Sequence, residues 1–118
     1  MSSIEYTTYD ASTGRLRLRK TAHPSALEFE AEPYVLGIHD HSLFCVVDGR
    51  VVSRDPNPAV LIGMELHDVP LPSTIVIDHQ RYEVYDNIVE LNLPLPGTYS
   101  VLLESFPYQD ATFTVVKP

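Results

Sequence analysis

Leu95-Pro-Gly-Thr-Tyr-Ser-Val-Leu-Leu-Glu-Ser-Phe-Pro-Tyr-Gln-Asp-Ala-Thr-Phe-Thr-Val-Val-Lys-Pro118 closes the chain and decides its class. Pro96-Gly97 marks a turn. Tyr99, Val101 and Leu103 then alternate with Thr98, Ser100, Leu102 and Glu104, and after a second proline turn Phe113 and Val115 alternate with Thr112 and Thr114. A period of two puts successive side chains on opposite faces of a strand, so the segment reads as two half-buried strands around a turn. Such a pair belongs to an antiparallel sheet.

The same reading extends backward. Val60–Leu66, Thr74–Asp78, Tyr82–Tyr85 and Val89–Leu93 are short apolar or alternating runs, separated by Pro70-Leu-Pro72, His79-Gln80, Asp86-Asn87 and Pro94–Gly97. Short strands at this spacing predict a small antiparallel sandwich or open barrel. Upstream, Ile4–Tyr9 and Arg15–Thr21 flank Asp10-Ala-Ser-Thr-Gly14 and read as a hairpin. Ala26–Ala31 alternates Leu27, Phe29 and Ala31 against Glu28 and Glu30 and predicts a third strand, with a short extended piece over Glu32–Ile38. Asp48-Gly49 between Leu43–Val47 and Arg50–Ser53 is the strongest hairpin signal in the chain. No window shows helical spacing free of prolines and β-branched runs, so an all-β fold is expected.

Arg54-Asp-Pro-Asn-Pro58 interrupts any ladder, because proline removes a backbone donor and fixes φ. It is the predicted boundary between an N-terminal β arm or small sheet, residues 1–54, and a C-terminal sandwich, residues 59–118. The charge balance changes there too. Residues 1–54 carry seven acids against six bases, whereas residues 55–118 carry nine acids against Arg81 and Lys117 alone. With a net charge of −8 the chain repels phosphate backbones, which argues against a nucleic-acid partner. No apolar run approaches the roughly 20 residues that span a bilayer, so no membrane insertion is expected. Met-Ser-Ser-Ile-Glu-Tyr lacks the basic and then apolar pattern of a secretory signal, which points to synthesis in the cytoplasm.

Arg15, Arg17 and Arg19 stand at period two and are expected on one strand face, with Leu16 and Leu18 on the other. That face is either a solvated strand surface or a dock for an acidic protein partner. Cys45, the only cysteine, lies in Leu43-Phe-Cys-Val-Val47 and reads as a small buried hydrophobe. His39-Asp40-His41 places two imidazoles at i and i+2, a spacing that can share a metal ion on extended backbone. A further ligand would have to come from His23, His67, His79, Asp40 or Asp48, and a polar strand rim explains the pair as well. No nucleophile elbow, phosphate loop or paired zinc-ligand motif is present, so no catalytic residue and no cofactor is assigned and an enzyme is not expected. Tyr82, Tyr85, Tyr99, Phe106, Tyr108 and Phe113 crowd the second half, where they divide between core and rim; an exposed row could stack on sugars.

From about Ala59 onward, Leu61-Ile-Gly-Met-Glu-Leu-His-Asp-Val-Pro-Leu-Pro-Ser-Thr-Ile-Val-Ile77, then Tyr82-Glu-Val84, then Leu95-Pro-Gly-Thr-Tyr-Ser-Val101 and Phe106-Pro-Tyr108 resemble immunoglobulin-like and prealbumin-like modules. The run Pro96-Gly97-Thr98-Tyr99-x-Val101 carries that likeness. Together with Val46-Val-Asp-Gly-Arg-Val-Val-Ser-Arg54, it also resembles small proteins of tailed bacteriophages associated with tail or tail-fibre regions. The resemblance covers most of residues 43–118 and implies an Ig-like β-sandwich in a virion component made in the host cytoplasm. Its partners would be other virion proteins, in a homo-oligomer or in multiple copies within a larger assembly. Arg15, Arg17 and Arg19 are then candidates for docking, and Tyr34, Phe106 and Tyr108, each beside a proline, for interface anchors. A carbohydrate-binding module for a cell-surface glycan is the alternative, and a metal-dependent enzyme built on His39 and His41 is the third reading.

Overall fold

The computed structural model describes residues 3–118, and among them every strand pairing is antiparallel. The contacts divide into two units, Met1–Arg54 and Asp55–Pro118. Among the described residues the fold is all-β apart from one short 3-10 helix.

In the first unit, β1 (Ile4–Tyr9) lies between β2 (Leu16–Ala22) and β3 (Tyr34–Leu36), and β4 (Phe44–Val47) pairs with β5 (Arg50–Ser53). The β1–β2 turn is held by Asp10, whose Oδ1 accepts the Ser12 N–H at 2.8 Å and the Ser12 hydroxyl at 2.6 Å. Gly14 completes this turn at φ +82°, where its carbonyl accepts the Val46 N–H at 2.8 Å and a Cβ would fall on the Val46 carbonyl. Only glycine allows that approach. The β4–β5 turn has Asp48 at φ 52° and Gly49 at φ 76°, the two left-handed residues that an Asp-Gly hairpin requires.

Residues 26–31 depart from the expected strand: Pro24–Phe29 is the 3-10 helix. Pro24 supplies a fixed φ at its first turn, and His23 caps it by accepting the Ser25 N–H through Nδ1 at 3.2 Å. The alternation that suggested a strand does not track burial, since no helix residue is buried and Phe29 is 84% exposed.

In the second unit, β8 (Ser73–Ile77), β9 (Gln80–Val84), β11 (Gly97–Glu104) and β12 (Ala111–Lys117) form a sheet in the order β12-β11-β8-β9. The expected run Val60–Leu66 is two strands, β6 (Val60–Ile62) and β7 (Glu65–His67), because Gly63 at φ 61° turns the chain back on itself. With β10 (Val89–Glu90) they form a second sheet, β10-β7-β6. Leu66 from this sheet and Ile75, Val84, Val101, Leu103 and Val115 from the other enter one core, joined by Leu91 and Leu93. The predicted alternation of β11 and β12 is what supplies it: Val101, Leu103 and Val115 are essentially inaccessible, while Thr98, Ser100, Thr112 and Thr114 face outward. The sheets remain open, with β9 and β12 as edges of the larger one.

Candidate functional site

Beside β9 the second unit is hollowed into a groove of about 470 Å³. Ile75, Ile77, Leu91 and Leu93 make its apolar floor, and Asp78, Glu90 and Asn92 stand on its rim. The side chains of these three take no hydrogen bond or ion pair among the described residues. Tyr82 is half exposed along one wall, where its hydroxyl donates to Gln80 Oε1 at 2.8 Å. Tyr99 is fixed at the other end: its hydroxyl donates to the Leu95 carbonyl at 2.7 Å and accepts the Leu95 N–H at 3.3 Å. A second hollow of about 300 Å³ shares Tyr82 and Glu90 with the first and adds Tyr85, Asp86 and Ile88. Among the described residues no Lys, Arg or His lines either hollow. Arg81, on the same strand, pairs with Glu104 and is directed elsewhere. The groove is therefore suited to neutral or cationic groups and opposed to anions.

The sequence concentrates tyrosines here, but the groove itself is tertiary. Its rim joins the β8–β9 turn, in which Asp78 and His79 both adopt positive φ, to the 89–94 segment more than ten positions away. Tyr82, Tyr85 and Tyr99 stand out in the sequence, whereas Asp78, Glu90 and Asn92 carry no motif.

Arg15, Arg17 and Arg19 do not share one face. Thr7 pairs with Arg19 and Tyr9 with Leu16, so Thr8 alone stands opposite both Arg17 and Leu18. A bulge of this kind inserts one residue and reverses the alternation. Arg19 consequently lies on the Leu16 side, and its charge helps lower the Asp40 carboxyl pKa. Arg17 pairs with Glu32 at 3.0 Å. Lys20, near it, donates to Glu30 at 3.0 and 3.1 Å, and Tyr6 donates to the same carboxylate at 2.8 Å. The Lys20 and Tyr6 hydrogen bonds hold the Glu30 pKa below its ordinary value, while the Glu30 bond raises that of Lys20.

Tyr34 is partly exposed and meets Tyr6 edge to face, with ring centroids 5.4 Å apart. Phe106 and Tyr108 flank Pro107 in the β11–β12 turn and are half-buried, with the Tyr108 N–H donating to the Ser105 carbonyl at 2.9 Å. The fold thus places the three aromatic anchor candidates in different units. His39 turns back on its own segment, with Nε2 2.9 Å from the Leu36 carbonyl oxygen and its ring 6.0 Å from that of Phe44. His41 is exposed beside Asp40 at 4.0 Å. Among the described residues no three His, Cys, Asp or Glu side chains gather in a geometry that could hold a metal. Cys45 is 2% exposed, and burial raises its thiol pKa, which disfavours the reactive thiolate.

Comparison of the chain with family models, curated proteins and solved structures gives no match. The functional reading therefore rests on the chain's own residues.

Proposed function

We propose that the protein is a non-enzymatic structural or adaptor component of a tailed-bacteriophage virion, in the tail or tail-fibre attachment region, made in the host cytoplasm and carried in multiple copies. The observation that supports the reading is exposed apolar side chains together with open sheet edges. Phe29, Leu36, Tyr85, Leu95 and Val116 each leave more than 60% of their surface in solvent, and the sheet of the second unit is open at both edges. Large apolar side chains and unpaired strand edges are hazards in an isolated protein and assets in an assembly subunit, where neighbours cover them.

The phage resemblance supports the same reading. Pro96-Gly97 leads into β11 and Asp48-Gly49 turns β4 into β5, so its two signature runs are hairpin and turn determinants, as a non-catalytic module needs. An immunoglobulin-like sandwich for residues 59–118 is part of the proposal, favoured by two antiparallel sheets that contribute to one core. Arg17 and Arg19 then offer cationic contacts on opposite faces of β2 to acidic virion neighbours. Immunogold labelling of intact particles tests the assignment: label at the tail is expected, and unlabelled tails beside labelled host debris would refute it.

The groove favours one second reading, a carbohydrate-binding module. Half-exposed Tyr82 offers a ring face to sugar C–H groups, and the unpartnered Asp78, Glu90 and Asn92 can bind hydroxyls over an apolar floor. Binding on a glycan array that Tyr82→Ala abolishes would establish it; an array without signal would dismiss it.

A further inference from the structure

β12 is an edge strand paired only with β11. Along Ala111–Lys117, no backbone group on the side away from β11 has a hydrogen-bond partner among the described residues. A strand of this length presents a ladder about 23 Å long, which is a template for another strand. Edges are ordinarily protected by charge, proline or a bulge. β9, the opposite edge of the sheet, carries Arg81 and Glu83, and β2 carries Arg17, Arg19, Lys20 and a bulge. Ala111-Thr-Phe-Thr-Val-Val116 has none of these devices; the charge of β12, Lys117, stands at its last position opposite Gly97, and its ammonium is tied to the Leu93 carbonyl.

We propose that β12 pairs antiparallel with β12 of a second copy, about a two-fold axis at Thr114. The register follows from the faces. Phe113 and Val115 point toward the core and Thr112, Thr114 and Val116 toward solvent. An axis between two residues would set inward side chains opposite outward ones, which a sheet with one buried face excludes. An axis at Phe113 would draw Asp110 into the ladder opposite Val116, and an axis at Val115 would draw Pro118, which has no N–H to donate, into the ladder opposite Thr112. Only the axis at Thr114 engages the whole strand. Phe113 then faces Val115 of the second copy, Thr112 faces Val116 and Thr114 faces itself. These aromatic–β-branched and β-branched pairs are ones that stabilise neighbouring strands. Two four-stranded sheets become one of eight strands, with β9 and its charges at both outer ends.

This inference rests on the reading of the protein as an assembly subunit and names its first partner as another copy of itself. An edge contact alone is at the small end of specific interfaces, so the association is weak in solution and strengthened where copies are held together.

The test is sedimentation equilibrium of the full chain up to about 1 mM, a range that captures weak pairs. The wild type is expected to dimerise. Thr114→Lys and Thr114→Glu each place like charges opposite one another at the axis and are expected to weaken dimerisation by about fivefold or more, whereas an equimolar mixture of the two recovers it. Thr114 is exposed, and unchanged circular dichroism and melting temperature confirm that both variants fold. A monomeric wild type, or a Thr114→Lys variant as dimeric as the wild type, would overturn the proposal. A disulfide fixes the register independently. Thr114→Cys brings two Cα atoms to about 5 Å, within bridging range, and is expected to cross-link under mild oxidation. Thr112→Cys leaves its two copies about 13 Å apart and is expected to remain uncross-linked. Equal cross-linking of both variants would overturn the register. A monomeric protein that is nonetheless found in purified particles would sink the edge pairing and leave the virion reading standing; a dimer absent from particles would do the reverse.

Discussion

Replacing Leu103 by Ala removes the side chain on which the second unit closes. Leu103 is fully buried in β11, opposite Ile75 of β8 on one side and Ala111 of β12 on the other. It therefore supports the wall of the groove and the edge strand at once. Losing three carbon groups forfeits about 2.4 kcal/mol of transfer energy at about 0.8 kcal/mol each. If the surroundings relax only partly and leave about 50 Å³ empty, the cavity adds about 1.2 kcal/mol at about 24 cal/mol per Å³. The total is about 3.5 kcal/mol. A unit of roughly 60 residues holds about 3–9 kcal/mol of stability, so the substitution consumes a third or more of it. With a urea slope of about 1 kcal/mol/M the midpoint falls by about 3.5 M. The assay is urea titration followed by the amide signals of β8, β11 and β12, with Leu95→Ala as reference, since Leu95 is 67% exposed and should cost less than about 0.5 kcal/mol. A Leu103→Ala midpoint within about 0.5 M of that reference would refute the placement of the core.

Gly14→Ala is expected to destabilise the first unit by about 2 kcal/mol or more, because it combines a left-handed backbone with a collision at the Val46 carbonyl. Gly49→Ala, also at positive φ but with open space around the added Cβ, should cost only about 1 kcal/mol; equal urea midpoints for the two variants would dismiss the close approach. The carboxyls of Asp10, Glu30 and Asp40 are held below their ordinary pKa by hydrogen bonds from Ser12, from Lys20 and Tyr6, and from Ser42. Their contribution to stability is therefore complete above the ordinary carboxylate range and lost as pH falls through the lowered folded values. The urea midpoint of the first unit should drop as pH falls below the ordinary carboxylate range, and a flat profile would contradict these bonds. Lys20 has the opposite sign, since its pKa is raised by the Glu30 hydrogen bond: its contribution is complete below the ordinary lysine range and is lost as pH rises from there through the folded value. Cys45, buried and with its thiol pKa raised, should react with a thiol reagent only on unfolding; labelling of the native protein at the rate of a free cysteine would refute its burial.

The parts of the fold legible in the sequence are those governed by local rules. Asp48-Gly49 declared its hairpin because left-handed turns admit few residue types, and β11 and β12 declared their faces because one side is wholly buried. Ala26–Ala31 misled because alternation is only a proxy for burial. No apolar residue of the segment is buried, and Pro24 with the His23 cap set its conformation instead. The arginines of β2 misled for a different reason. A bulge opposite Thr8 depends on how two strands settle against each other, and nothing in Arg15–Arg19 announces it. The groove was invisible for the same cause: Asp78, Glu90 and Asn92 become a rim only when the β8–β9 turn meets β10 and the segment that follows it. Tyr82, Tyr85 and Tyr99 were its hints in the sequence.

The central claim, that the protein is a part of a virion, is tested most directly by quantitative mass spectrometry of purified phage particles from the source, with the copy number referenced to a tail protein. The account predicts the protein in intact particles at a fixed integral ratio that survives density-gradient purification and high salt. Its absence from particles, or an abundance that drifts with purification, would contradict it.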